Sequence, residues 1–94
     1  MSDLASVRVI VYGYVQGVLF RDFTLRRAKE LGLVGYVYNL PNPTAVEVQA
    51  EGERERLEKL IEQLKAGPPR ASVEKVEASW SEYSDSYSHF SIRY

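Results

Sequence analysis

An arginine at the start of a helix is the first place in this chain where residue type and spacing point to chemistry. Arg21 closes the run Gly13-Tyr14-Val15-Gln16-Gly17-Val18-Leu19-Phe20-Arg21, which stands between an alternating apolar segment and one of helical spacing. The first turn of a helix exposes unpaired N–H groups and the positive end of the helix dipole, normally met by Ser, Thr, Asp or Asn caps and by acidic residues. From Gly13 to Phe20 no such cap stands, and Arg21 adds positive charge where the dipole disfavours it. A bound anion would answer both problems. Gly13 and Gly17 would let the backbone fold around a phosphate-sized group with N–H groups pointing inward, and Arg21 would add a forked, permanently charged partner. The same residues admit a plainer reading, in which water satisfies the N–H groups and Arg21 is solvated, its charge offset by Asp22.

Other residues invite weaker readings. Ser84, Asp85, Ser86, Ser88 and His89 contain the members of a Ser-His-Asp triad, but triads are assembled in space and seldom from neighbours in one loop. That loop reads as solvated and mobile, with His89 at the surface or a strand edge. Glu47 and Glu51 share a strand, where solvated or loop-facing carboxylates are favoured over paired acid-base work. Tyr36, Tyr38, Tyr83, Tyr87 and Tyr94 suggest base stacking, yet neither an RNA-recognition signature nor a basic face accompanies them.

The elements that must position Arg21 follow from hydropathy. A polar lead, residues 1–6, is expected to be flexible. Val7, Val9 and Val11 alternate with Arg8, Ile10 and Tyr12, a strand. A helix is predicted from Arg21 to Leu31 and ended by Gly32. Two extended runs, Gly35 to Leu40 and Ala45 to Glu51, are joined by the turn Pro41 to Thr44. Leu57, Leu60, Ile61 and Leu64 mark one face of a second helix, which stops at Gly67-Pro68-Pro69. A strand through Val73 and Trp80 follows, ambiguous in facing at Val73, with Val76, Ala78 and Trp80 read as inward; Phe90 to Tyr94 closes the chain as a short strand.

That order is β-α-β-β-α-β with a small extra C-terminal strand. It implies an α+β fold of the split βαβ, ferredoxin-like kind, an antiparallel sheet with both helices on one face and a single domain over 1–94. In such a fold the first two strands run the same way with the third between them. The loop before Arg21 and the end of the second strand, at Asn39, then share one sheet edge about 10 Å apart.

Composition narrows the possibilities. The chain has 94 residues, 12 Lys and Arg against 13 Asp and Glu, a net charge of -1, no cysteine and one histidine. Disulfides, thiol nucleophiles and the usual zinc constellations are excluded, and no global charge attracts nucleic acid or anionic membrane. No apolar run has the length of a membrane span or signal peptide, so the expectation is a cytoplasmic protein and a monomer.

Gly13, Val15, Gln16, Gly17, Val18, Phe20 and Arg21 fit the pattern G-x-V-Q-G-V-x-F-R, and in this the chain resembles the acylphosphatases. The resemblance continues through "AKELGLVGYVYNLP" (Ala28 to Pro41), "VEVQAEG" (Val46 to Gly52) and "GPPRASVEKVE" (Gly67 to Glu77). It implies hydrolysis of the carboxyl-phosphate bond of small acyl phosphates, without metal or cofactor, with inorganic phosphate as product and inhibitor. It further implies that the loop Val15, Gln16, Gly17, Val18, Leu19 and Phe20 together with Arg21 holds the phosphate, that Asn39 orients the attacking water, and that the substrate's phosphate accepts the water proton. Acyl phosphates carry a good carboxylate leaving group, so positioning and charge stabilisation suffice without a strong base.

The chain departs from the pattern at Leu19, a slot often small, at Tyr38, where a basic residue is common, and at the turn "LPNPTAVEV", which is one residue longer and lacks an aspartate-glycine pair. The rival reading is a non-catalytic or accessory domain, since modules of this kind also occur within larger hydrogenase-maturation proteins.

Overall fold

The structure, a computed structural model, describes residues 3–94. Its elements run β1 (Leu4–Tyr14), α1 (Phe20–Glu30), β2 (Val34–Asn39), β3 (Ala45–Glu53), α2 (Arg54–Ala66), β4 (Ser72–Glu82) and β5 (Phe90–Arg93). The sheet order is β4-β1-β3-β2-β5. β1 and β2 are both antiparallel to β3, so they run the same way on either side of it, as the split βαβ reading requires. The sheet is antiparallel except at one edge, where β5 lies parallel to β2.

Alternation decides what each strand buries. Val7, Val9 and Val11 of β1, Val46, Val48 and Ala50 of β3 and Val37 of β2 have no exposed surface. They pack with Phe20 and Ala28 of α1 and with Leu57, Leu60, Ile61 and Leu64 of α2 into one core. Both helices lie on this face. Thr24, also buried in α1, returns its hydroxyl to the carbonyl of Phe20 at 2.9 Å, which satisfies the hydroxyl inside the core.

Several details differ from the sequence reading. Of the expected flexible lead, Met1 and Ser2 lie outside the described residues, whereas Leu4 to Ser6 belong to β1. Ala5 and Ser6 are buried because they pair with β3 on one side and β4 on the other. The ambiguity at Val73 is a β-bulge: Tyr12 pairs with Lys75 and Gly13 with Val73, leaving Glu74 as the extra residue. The slip turns Val73 to the same side as Val76, and both pack against the core. Ala78, read as inward, sits opposite Val9 yet is exposed, because β4 is an edge strand.

The bulge also explains Gly13. A Cβ there would stand 2.1 Å from the carbonyl oxygen of Ser72, so this glycine serves the close approach of β4 and not the loop beyond it.

The serine-rich segment 83–89 carries the chain from the β4 edge to the β5 edge, across the sheet face opposite the helices. It is anchored there rather than free. The backbone N–H and hydroxyl of Ser84 both donate to Oε2 of Glu51 on β3, and the Tyr87 ring stands 6.1 Å from that of Tyr36 on β2.

Candidate functional site

The loop between β1 and α1 is held from below by its apolar residues. Val15, Val18 and Phe20 are buried, leaving Gly17 and Leu19 exposed between them. Gly17 has φ 73° with open space where a Cβ would be, so the requirement is conformational. Leu19, the N-cap of α1, also sits in the left-handed region at φ 62° and offers no side-chain cap. Its carbonyl accepts the first helical bond, from Phe23 N–H at 3.0 Å, while the N–H groups before Phe23 have no partner within the helix. Left-handed residues alternating through a loop into a helix N-terminus turn successive N–H groups to one side, the arrangement that binds anions.

Gln16 faces elsewhere. Its Nε2 lies 3.0 Å from the carbonyl of Leu40, 3.1 Å from that of Asn42 and 2.9 Å from that of Ala45. Its side chain therefore ties the loop to the turn after β2, close to Asn39.

Arg21 and Asn39, paired on one sheet edge by topology, line a single cleft of about 370 Å³ together with Val15, Gly17 and Phe20 of the loop. Arg21 is half-buried and makes no salt bridge among the described residues. Its guanidinium is 4.7 Å from the centre of the Tyr94 ring and donates, at 3.5 Å, to the carbonyl of Arg93. The neighbouring Asp22 pairs with Arg26 at 3.1 Å, one turn along the helix. The Oδ1 of Asn39 is buried without a hydrogen-bond partner, an unusual state for a buried acceptor and one that suits a site built to hold a small polar molecule.

Asp22, Ile92 and Tyr94 also line the cleft and were not among the site residues read from the sequence. Ile92 and Tyr94 arrive because β5 runs parallel to β2, so the two strands finish at the same edge. The alternation in Phe90 to Tyr94 marks a strand, but no local signal gives its direction.

The remaining candidates lie away from the cleft. Glu47 and Glu51, read as solvated or loop-facing, are 9% and 1% exposed, because 83–89 and the tyrosines cover this face. Burial opposes ionisation of Glu47, but hydrogen bonds from Tyr36 and Arg8 and the charge of Arg8 together hold its carboxyl below the ordinary value. Burial likewise opposes ionisation of Glu51, and is outweighed by hydrogen bonds led by those from Ser84. The partner of Glu47 pays for this in its own titration, burial and that hydrogen bond pushing the Tyr36 hydroxyl up to about 12. Glu47 meets structural donors on both oxygens and Glu51 on Oε2, its Oε1 being buried without a hydrogen-bond partner, and the two do not act as an acid-base pair. Nor do the serine loop's residues form a triad: Ser84 is engaged by Glu51, Tyr83 donates to Asp85, and the ring of exposed His89 is bonded to its neighbour Ser88.

An α+β sandwich with an uncapped helix start, an arginine that makes no salt bridge among the described residues and an orphaned asparagine oxygen around one cleft has the make-up of a small-molecule anion site. Comparison with known proteins makes the class particular. The family model described as Acylphosphatase matches residues 7–92. An acylphosphatase of Dehalococcoides mccartyi (strain CBDB1) is 50% identical over 88 residues, covering 94% of this chain and 97% of that protein. One from Caldivirga maquilingensis is 49% identical over 94 residues, 100% of this chain and 99% of the relative. The crystal structure of acylphosphatase from Bacillus subtilis superposes with a TM-score of 0.90 at 36% identity, covering 98% of this chain and 100% of that one. The chain belongs to the acylphosphatase family, enzymes that hydrolyse acyl phosphates.

Proposed function

We propose that the cleft holds the phosphoryl group of a small acyl phosphate in the loop backbone from Val15 to Phe20 and on the fork of Arg21, while Asn39 orients the attacking water. Water oxygen bonds to phosphorus as the bond from phosphorus to the carboxylate oxygen breaks; the bonding pair leaves on the carboxylate, and the water proton passes to a phosphate oxygen. Developing charge sits on the equatorial oxygens, where N–H groups and Arg21 are fixed beforehand. Asn39, with an acceptor free in a buried position, accepts a hydrogen bond from the water and sets its approach. That unpaired oxygen, in the same cleft as Arg21, is the observation that carries the reading.

Inorganic phosphate, the product, fits the same cradle and competes with substrate. The same proposal takes the chain to be a cytoplasmic, single-domain monomer.

The test is hydrolysis of acetyl phosphate in water enriched in oxygen-18. Label is expected in phosphate and not in acetate, with phosphate competitive and EDTA without effect. Arg21→Gln removes a contact charge worth about 4 kcal/mol at 4 Å in a partly screened site, a loss of about a thousandfold in rate. Arg21→Lys is expected to remain poor, since a point charge does not replace the fork. Label in the carboxylate, activity lost to chelation and restored by a metal, or near-normal Arg21→Gln would each sink this mechanism.

A further inference from the structure

At the end of the sheet away from the cleft, where β2 begins and β3 ends, a second cavity of about 230 Å³ is lined by Leu4, Val34 and Tyr83, by Arg56, and by the carboxylates of Glu51 and Glu53. Glu51 is the unusual group among them. Its side chain is 1% exposed, yet hydrogen bonds led by those from Ser84 outweigh the opposition of burial and hold its carboxyl below the ordinary value. It is therefore an anion inside the protein, and buried charges are ordinarily paired with a cation. Glu47, on the same strand, has Arg8 at 2.7 Å; Glu51 makes no salt bridge among the described residues. Its Oε2 accepts from the N–H and the hydroxyl of Ser84, while its Oε1 is buried without a hydrogen-bond partner. Ser6 and Ser86 also draw the carboxyl's titration down, but neither meets Oε1 in hydrogen-bond geometry.

The cation that lines the cavity is committed elsewhere. Arg56 lies 3.7 Å from Glu53 and donates at 3.2 Å to the carbonyl of Leu31. Glu51 and Glu53 set against Arg56 leave one negative charge over. The single free acceptor then decides which cation fits. A guanidinium needs two carboxylate oxygens for its parallel bonds, and Ser84 already holds one. A divalent metal needs more oxygen ligands than stand here, since no group of three His, Cys, Asp or Glu is placed to hold one among the described residues. A primary ammonium asks for one strong acceptor and leaves its other two donors to carbonyls or water. Leu4, 47% exposed, and half-buried Val34 offer apolar surface to an alkyl stem, which the volume, below the roughly 300–1,000 Å³ of drug-sized sites, keeps short.

We propose that this cavity binds a small primary alkylammonium ion, its N–H donated to Oε1 of Glu51 and its stem laid against Leu4 and Val34. The ion cancels the charge left over by Glu51, Glu53 and Arg56. Oε1 is closed off from water, so the ligand enters by displacing a wall. Tyr83 is the wall that gives: its hydroxyl is bonded at 3.0 Å to Asp85 within the same exposed segment and not to the sheet. Because the carboxylate that takes the ammonium also holds Ser84, the bound ion fixes the anchor of segment 83–89. The site is independent of the proposed phosphate cradle.

The test is an amide proton–nitrogen NMR titration at pH 7 with n-propylammonium chloride, run beside sodium chloride, tetramethylammonium chloride and 1-propanol. Propylammonium should give saturable shifts at Val34, Gly52, Tyr83 and Ser84, with a Kd on the order of 1–10 mM, as one charge-assisted hydrogen bond and a short stem allow. The other three solutes, which lack the donor, the charge or both, should give none that saturate. Glu51→Gln should abolish saturation, and Leu4→Ala should weaken binding about fourfold, the value of one buried methylene. Equal responses to propylammonium and tetramethylammonium would reduce the effect to charge screening, and equal responses to propylammonium and 1-propanol would reduce it to apolar filling; either overturns the proposal. So would undiminished binding in a folded Glu51→Gln, or shifts centred on Gly17 and Asn39, which would put the ion in the cleft. Should Glu51→Gln fail to fold, the four-solute comparison on the parent protein decides by itself.

Discussion

Replacing Leu19 by glycine should leave a more stable protein than replacing it by alanine. In the middle of a helix or strand alanine outranks glycine, which loses more backbone freedom on folding, by roughly 0.5–1 kcal/mol, whereas at an N-cap such as Leu19 glycine is already the better of the two. Leu19 also holds φ 62° and ψ 25°, where any Cβ crowds the following carbonyl at about 1–2 kcal/mol. Alanine keeps that strain and glycine removes it. The leucine side chain is 74% exposed, so its loss removes little burial from either variant. Subtracting the entropy of glycine from the relieved strain leaves Leu19→Gly more stable than Leu19→Ala by about 0.5–1 kcal/mol. For a domain of this size that is a rise of about 2–8 °C in Tm. Urea denaturation at matched m-values is the assay. Alanine equal to or above glycine would refute the claim that the loop stores backbone strain. The same glycine should weaken phosphate inhibition, because a strained residue held in place keeps the N–H groups converged and a relaxed one lets the loop wander.

Asn39→Ala should lower kcat strongly and leave the phosphate inhibition constant nearly unchanged, with Asn39→Asp as poor because a carboxylate repels phosphate; equal losses in both constants would make Asn39 a ligand clamp. Gln16→Ala should cost about 1–2 kcal/mol of stability and lower kcat with it, since the loop loses its tie to the turn beside Asn39, and Gln16→Glu should be worse because it presents an acceptor to three carbonyls; a fully stable, fully active Gln16→Ala would show that the tie is idle. Because the Glu51 carboxyl titrates below its ordinary 4.5 in the folded chain, the stability it contributes is complete above that pH and is lost as pH falls through the lower folded value. Unfolding free energies from pH 7 down to 3 should therefore fall less steeply in Glu51→Gln than in the parent, and parallel acid limbs would contradict the assignment.

How much of this could be read in advance depended on whether a feature is local in the chain. The proposed phosphate cradle is one contiguous loop, and its glycine, its missing cap and Arg21 are legible in order. The buried stripe of α2 is equally local, and Leu57, Leu60, Ile61 and Leu64 are buried as the period requires. Asn39 needed one step of topology, the parallel course of β1 and β2 about β3. Gly13 was misassigned to the loop because the backbone that crowds it, Ser72, lies far away in sequence. Glu47 and Glu51 were read as solvated or loop-facing; Glu51 does face the 83–89 loop, and burial rather than solvation of the pair went unseen because nothing local says that another segment covers that face.

That covering segment connects the misreadings to the site. Segment 83–89 must pass from β4 to β5, four strand spacings or roughly 19 Å. A chain of that length reaches about 23–25 Å when extended, which leaves little slack for helix or turn. Small polar residues suit such a strap, since they need no core of their own, and the Glu51 carboxylate gives it a fixed point beneath the sheet. Once β5 is delivered to the far edge beside β2, its end brings the Arg93 carbonyl and the Tyr94 ring to Arg21 and Ile92 to the cleft. The proposed phosphate cradle is thus one run of adjacent residues, while Ile92 and Tyr94 depend on a strand placed by a strap across the whole sheet. Substitutions in 83–89 are expected to move the seating of Arg21, read as a weaker phosphate inhibition constant, before they touch the loop backbone from Val15 to Phe20.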